Sequence, residues 1–262
     1  MEKVAKYKFQ NNLKDTILKT ISEIGGFGAY IKKGDVVLLK PNFNTADPFP
    51  ASTDLAFLKA VVEIIYEHGA KLVMIGESSA MSFNTRKVME RLGIFSLLDM
   101  ETPPRIYPFE EGEWVKKEVP QGKYIKNVLV PEILDRPDKI ILLPCLKTHS
   151  YAQFTGSLKL AVGLIKPMQR VGLHFRNLQE KIAEINILFK PDLIIMDARK
   201  CFIAGGPSKG ELCEPGLILA SSDRVAIDIE GIKIIQSYPG NSLKEVNPLE
   251  MPQIKRALEL GI

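Results

Sequence analysis

The stretch that decides the fold is KIILLPCLKTHSYAQFTGSLKLAVGLIKP, residues 139–167. Its apolar run 140–143 has the continuous hydrophobic character of a strand that is buried on both faces of a parallel sheet. Pro144 cannot donate to a sheet ladder, so we expect the strand to end there. The polar residues 147–150 are then predicted to form a loop, and the apolar residues after Gly156 a helix. Because ligands of open α/β sheets bind beyond the carboxyl ends of the strands, this loop is an expected binding site.

Similar apolar runs occur four more times in the chain, at residues 36–39, 72–75, 193–196 and 217–220. Between the first two of them lies an amphipathic segment with helical spacing, which predicts a right-handed strand–helix–strand unit. Helical spacing also predicts helices at residues 12–24, 55–68, 84–92, 178–189, 225–235 and 252–260. Together these patterns predict an α/β fold with a mostly parallel sheet and flanking helices.

Residues 102–130 have a different character, because prolines interrupt them and two alternating segments flank Gln121-Gly122-Lys123. Such a pattern is typical of a hairpin. We therefore predict one α/β domain over residues 1–262, with a small antiparallel β insertion at about residues 102–130.

The composition is that of an ordinary globular protein, with 45% hydrophobic and 25% charged residues and a net charge of +4. There is no basic tract with interleaved aromatic residues, so a nucleic-acid partner is not expected. No apolar run reaches the roughly 18 residues that a membrane span requires, and the N-terminus lacks a signal-peptide core. Three scattered cysteines favour a reducing, cytoplasmic location. Nothing in the sequence indicates an oligomeric state.

Lys147 and His149 are the first candidates for catalysis. A lysine there can stabilise negative charge, and histidine transfers protons near its ordinary pKa of about 6.5. The alternative is a solvated loop with an incidental histidine. Asp197 and Glu77 follow two predicted strands and are expected to orient His149 or to hold a divalent metal with it. The sequence contains no metal-ligand motif such as HExxH, so the presence and nature of a metal stay open.

Lys159 and His174 are candidate ligand-binding residues. Lys159 lies near a predicted helix start, where free N–H groups attract anions, although a lysine in an apolar helix can also extend its ammonium group to solvent. Lys166 follows seven residues later and is expected on the same helix face. His174 and the nearby Arg176 suit a carboxylate or phosphate, or else belong to a basic surface loop.

Asn42, Gly205 and Gly206 complete the candidate set. Asn42 follows the first predicted strand and either hydrogen-bonds a ligand or caps a turn. Gly205 and Gly206 begin the segment GGPSKG, which lacks the GxxxxGK[ST] pattern of a phosphate-binding loop. The segment can offer a nest of N–H groups to an anion or form a plain turn.

Several motifs, in order along the chain, resemble the prokaryotic family called domain of unknown function 362. They are LLKPNFN (38–44), LPCLKTH (143–149), TGSLKLAVGLIKP (155–167), PDLIIMDA (191–198), GGPSKG (205–210) and LASSDRVAIDIEG (219–231). The resemblance implies an α/β fold but no substrate, since the activity of the family is largely undefined. Some family members carry an added ferredoxin-like iron–sulfur segment. The chain departs from the family pattern at Cys145, where a lysine is typical.

Two functional hypotheses follow. In the first, the protein is an enzyme that binds a small anionic ligand, bearing phosphate or carboxylate, at the strand carboxyl ends and uses lysine and histidine chemistry. In the second, it is a non-catalytic binding or redox-accessory protein that acts with an iron–sulfur partner.

We predict that this chain alone binds no iron–sulfur cluster. A cluster normally needs four thiolates, whereas the chain has only Cys145, Cys201 and Cys213. Iron and sulfide analysis of anaerobically purified protein, with a visible absorption spectrum, tests this. Stoichiometric iron and sulfide would contradict the prediction and favour the redox hypothesis.

Overall fold

The computed structural model describes all residues, 1–262, and contains twelve strands and eight α-helices. The strands are β1 (Ala5–Lys8), β2 (Val36–Lys40), β3 (Leu72–Glu77), β4 (Arg105–Pro108), β5 (Trp114–Glu118), β6 (Asn127–Pro131), β7 (Lys139–Leu142), β8 (Cys145–His149), β9 (Gln153–Thr155), β10 (Leu193–Ala204), β11 (Glu211–Cys213) and β12 (Leu217–Ser221). The helices are α1 (Leu13–Ser22), α2 (Leu55–Glu67), α3 (Thr85–Arg91), α4 (Ser157–Leu160), α5 (Pro167–His174), α6 (Leu178–Ile185), α7 (Arg224–Gln236) and α8 (Pro252–Glu259).

Ten strands form one sheet with the central order β1-β12-β10-β7-β2-β3-β4, and β8, β9 and β11 extend it beside β10. The neighbouring pairs from β10 to β4 are all parallel, whereas β1, β9, β11 and β12 pair antiparallel. The predicted mostly parallel sheet is therefore confirmed. No helix of the protein is both long and apolar enough to cross a membrane.

The apolar strands are buried on both faces, as their continuous hydrophobic runs predict. In β2, Leu38 belongs to a core of 37 buried residues on one face, and Val37 and Leu39 belong to a core of 27 on the other. Helices α1, α2 and α3 cover the smaller core, and α4 to α8 cover the larger one. The helices thus close both faces of the sheet.

Strand β8 corrects the loop predicted for residues 147–150. The ladder is interrupted at Pro144, as expected, but the chain resumes pairing beside β10, which is 12 residues long. Lys147 lies opposite Phe202 of β10 and opposite Thr155 of β9. The sequence prediction was wrong here because β10 continues past the point where β7 ends and offers β8 a partner.

The antiparallel insertion is confirmed as the two-stranded sheet of β5 and β6, in which Trp114 lies opposite Pro131. It is shorter than predicted, because β4 pairs parallel with β3 and belongs to the main sheet. Strand β1 was not predicted, since its residues alternate in character and lie at the sheet edge, paired only with β12.

The helix predicted after Gly156 is broken into two. Helix α4 has four residues and continues as a 3₁₀ turn to Leu164, and Ile165 is extended with ψ 137°. Lys166 then lies at the N-cap of α5. Lys159 and Lys166 therefore do not share one helix face, and His174 ends a helix rather than lying in a loop.

We expect Gly76→Ala to destabilise the protein by about 1–3 kcal/mol, the usual range for overpacking a core. A Cβ at Gly76 would lie 2.3 Å from the Phe109 ring, which is buried under the edge of the sheet. Gly28→Ala is the matched control, because its Cβ would meet nothing within 4 Å. Urea denaturation of both variants measures the difference, and equal midpoints would contradict the packing described here.

Candidate functional site

A cavity of about 210 Å³ lies at the carboxyl ends of β2, β3 and β8. Six residues of the predicted set line it, namely Asn42, Glu77, Lys147, His149, Lys159 and His174. Asp197, Gly205 and Gly206 do not line it. The structure thus brings together most of the residues that the strand-end argument placed at one site.

The floor of the cavity contains a buried ion pair. Lys40 Nζ lies 2.6 Å from Glu77 Oε1, and both side chains are almost fully buried. The other oxygen of Glu77 accepts from the Phe43 N–H, and Oε1 also accepts from the Ser78 N–H. Glu77 is thus engaged by protein groups on both oxygens, which favours a structural role over the predicted ligand-binding one.

Gly163 makes room for this pair. A Cβ at that position would lie 2.2 Å from Glu77 Oε1 and 2.7 Å from Lys40 Nζ. The backbone of the α4–α5 segment can therefore approach the pair closely, and the absence of a side chain here is a packing requirement.

Arg170 fixes α5 against the end of β3. Its guanidinium group donates to the carbonyl oxygens of Ile165, Ser78 and Ser79 and to the Ser78 hydroxyl. The side chain is 5% exposed, and burial lowers its pKa despite the opposing charge of Glu77. With these donors engaged, Arg170 positions the cavity wall and has little capacity left for a ligand.

Lys147 is buried at the cavity and has no carboxylate partner. Its ammonium group donates to the carbonyl oxygens of Pro50, at 2.9 Å, and Ala51, at 2.6 Å. Asn42 Nδ2 donates to the same Ala51 oxygen. Burial lowers the pKa of Lys147. Lys147 and Asn42 therefore tie the 50–51 segment to the cavity wall, and no protein anion lies beside Lys147.

Lys159 differs from the other cations because its ammonium group makes no hydrogen bond or ion pair with the protein. It lies half-buried in the cavity, and burial, with the positive charges of Lys147 and Arg170, lowers its pKa to about 8. The free N–H groups expected beside it are in fact capped. Asp228 Oδ1 accepts from the Ser157 N–H, and Oδ2 accepts from that of Leu158.

Asp228 therefore has a structural role, because it holds the segment that carries Lys159. It is completely buried, and this burial raises its pKa to about 6. A Cβ at Gly156 would lie 2.3 Å from Asp228 Oδ1, so the turn before α4 requires glycine.

The His149 ring is held by hydrogen bonds from the backbone to one of its nitrogens. Its Nδ1 lies 3.1 Å from the nitrogens of Tyr151 and Ala152, whose N–H groups donate to it. Burial lowers the pKa of His149 to about 2, and the positive charges of Lys159, His174 and Lys147 act in the same direction. His149 is thus a neutral imidazole at physiological pH.

His174 lies at the exposed rim of the cavity, at the end of α5. Its Nδ1 is 2.8 Å from the carbonyl oxygen of Arg170, one helical turn earlier. The residue that anchors α5 thereby also orients this ring.

Asp197 does not orient His149. It is fully buried and forms a bidentate ion pair with Arg199, whose Nη2 also contacts Asp54. Although Asp197 follows the predicted run, β10 continues to Ala204, so the carboxylate lies within the strand rather than at its end. The expected catalytic role is therefore not supported by its position.

Gly206 hydrogen-bonds β8 through its N–H and the residue after β8 through its carbonyl group, so its N–H is not free for an anion. The Gly206 N–H donates to Thr148 Oγ1, and its carbonyl oxygen accepts from the Ser150 N–H. The residues of this loop that reach the cavity are Pro207 and Ser208. The loop thus lines the cavity through the two residues that follow the predicted pair.

No group of three or more His, Cys, Asp or Glu side chains is arranged to hold a metal ion. The sequence suggested Glu77, Asp197 and His149 as metal ligands. Glu77 is instead paired with Lys40, and Asp197 is paired with Arg199.

Sequence reasoning missed Lys40, Gly163 and Arg170. Lys40 could have been found, because a charged residue at the end of a fully apolar strand needs a buried partner. Gly163 and Arg170 act through contacts with segments distant in the chain, and no local pattern indicates them.

Three known proteins are similar to this chain. A thylakoid-associated protein of Synechocystis sp. is 31% identical over 231 residues, which are 85% of this chain and 70% of that protein. The lactate racemase apoprotein of Thermoanaerobacterium thermosaccharolyticum has a TM-score of 0.51 at 13% identity, over 87% of this chain and 56% of that one. A Thermotoga maritima protein has a TM-score of 0.45 at 12% identity, over 94% of this chain and 58% of that one.

The chain thus spans little more than half the length of these two solved structures, and the likeness to the racemase concerns the α/β fold alone. A family profile gives the more specific result. The profile described as "Domain of unknown function (DUF362)" matches residues 37–233, which include every segment of the cavity. The chain belongs to this family.

Proposed function

We propose that the cavity binds a small anion, with a carboxylate or phosphate group, and that the protein is an enzyme acting on it with lysine and histidine chemistry. The observation that carries the proposal is the lack of an anionic protein partner for either Lys147 or Lys159. Glu77 is the one carboxylate that lines the cavity, and it is already paired with Lys40. Two cations in a half-closed site without a protein anion favour an anionic ligand.

Lys159 is the proposed ligand contact, because its ammonium group has no protein partner. Lys147 is proposed to attract the ligand electrostatically without touching it. Its amino group meanwhile donates hydrogen bonds to the carbonyl oxygens of Pro50 and Ala51. His149 is proposed to donate a hydrogen bond to the ligand. The free cysteines support a cytoplasmic location, whereas the name of the Synechocystis relative associates that protein with thylakoids.

A second candidate is a binding or redox-accessory protein that acts with an iron–sulfur partner. Met168, Val171 and Phe175 favour a macromolecular partner, because they lie on one side of α5 and its end and are 72%, 44% and 73% exposed. Val171 also lines the cavity, so a partner bound there would cover its mouth.

We expect sulfate, an anion that does not titrate near neutral pH, to bind the protein and to raise its melting temperature. An anion at about 100 times its Kd adds about 2.7 kcal/mol of stability. Since the anion favours the charged form of Lys159, affinity should fall above pH 8, by up to about tenfold per pH unit. Titration calorimetry from pH 6.5 to 9.5 measures this.

Lys159→Met should weaken sulfate binding at least about tenfold, whereas Lys244→Met, which removes an exposed charge elsewhere, should leave it unchanged. The panel also includes inorganic phosphate, nucleotides and small carboxylates. Absence of binding by every anion, or equal affinity in the Lys159 variant, would exclude the proposed site.

We also expect Lys159→Met to stabilise the ligand-free protein at pH 7, by about 1–3 kcal/mol. The pKa of Lys159 lies below its ordinary value of 10.5, so unfolding takes up a proton between about pH 8 and 10.5 and wild-type stability rises with pH there. The advantage of the variant should therefore shrink as pH approaches 10.5. Denaturant unfolding at pH 7 and pH 10 measures it, and a pH-independent difference would contradict a half-buried, unpaired ammonium group.

A further inference from the structure

The two histidines of the cavity carry their protons on different nitrogens. His149 Nδ1 is approached by two backbone N–H groups, which can only donate. That nitrogen must therefore accept, and the proton of the neutral ring is on Nε2. His149 consequently presents an N–H donor on the side of the ring that is not held by the backbone.

His174 is arranged in the opposite way. Its Nδ1 faces the carbonyl oxygen of Arg170, which can only accept, so Nδ1 carries the proton. In the neutral ring, Nε2 of His174 then has a free lone pair. This ring is at the exposed rim, where a proton that it takes up can pass to solvent.

Protonation of His149 is also opposed by its surroundings. A proton on His149 Nδ1 would point at two N–H groups, and the ring is mostly enclosed near Lys147 and Lys159. Nε2 of His174 makes no hydrogen bond with the protein. Of the two rings that line the cavity, His174 is the one that can take up a proton without losing a contact.

We infer that His174, and not His149, is the proton-accepting residue of the site, and that the ligand is a small anion that also bears a hydroxyl group. The inference rests on the proposed anion site. Lys159 contacts the anionic group, His149 Nε2–H donates to an oxygen of the ligand, and His174 Nε2 accepts the hydroxyl hydrogen. This reverses the roles that sequence position suggests, where His149 is the acid–base residue.

The tautomers are measured directly by long-range ¹H–¹⁵N correlation spectra at pH 8. The chain has three histidines, so His68→Gln, His149→Gln and His174→Gln assign every ring. We expect the Nε2–H form for His149 and the Nδ1–H form for His174. His68, whose Nδ1 also faces a backbone carbonyl oxygen, is the internal reference for the second form. A His149 ring with its proton on Nδ1, or a positively charged one, would overturn the inference.

Ligand class is tested by comparing glycolate with acetate, which differ by one hydroxyl group, and with sulfate as the anion-only probe. Wild-type protein should bind glycolate at least about tenfold more tightly than acetate, because the hydroxyl group meets a free acceptor. His174→Phe removes that acceptor at an exposed position, so it should lose this preference and keep its affinity for sulfate. Equal binding of the two acids by wild-type protein, or a preference that survives in His174→Phe, would overturn the inference. If the wild-type protein does not bind sulfate, the proposed anion site itself is excluded.

Discussion

The buried ion pair between Lys40 and Glu77 is the interaction on which the cavity depends. Removing two charges from water is costly unless they are paired and their remaining hydrogen-bonding groups are satisfied. Here the pair joins the carboxyl ends of β2 and β3, and the Phe43 and Ser78 N–H groups complete the coordination of Glu77. Position 163, which lies against the pair, requires glycine because a Cβ there would overlap both side chains. The pair thus determines how closely the α4–α5 segment approaches the sheet.

The sequence predicted the parts of the fold that local physics determines. The apolar runs that form β2, β3, β7 and β12 are buried on both faces. Their continuous hydrophobic composition predicts this burial directly. Helix starts were equally local, since Asn12, Asp54 and Asn84 each cap a helix with their own side chains. Strand β8 and helix α5 were missed because distant segments determine them, β10 by offering an unpaired edge and Arg170 by anchoring α5 to residues 78–79.

The same division applies to the candidate site. The position of Lys147, Glu77 and Asn42 followed from one rule, that parallel strands present their carboxyl ends at the same edge. Their chemistry did not follow, because it depends on partners that no spacing reveals. Glu77 is engaged by Lys40, and Lys147 by two carbonyl oxygens. Asp197 failed even on position, since the length of β10 buried it within a strand beside Arg199.

The four cations around the cavity can be ordered by how far the protein satisfies them. Lys40 has a carboxylate, Arg170 has backbone carbonyl oxygens and a hydroxyl group, and Lys147 has two carbonyl oxygens. Lys159 has none of these, and burial beside Lys147 and Arg170 lowers its pKa to about 8. Of these four cations, Lys40 alone has an anionic partner, and Lys159 alone has no hydrogen-bond partner of any kind. A bound anion would do for Lys159 what Glu77 does for Lys40, and it would do so beside a histidine donor that the backbone keeps neutral.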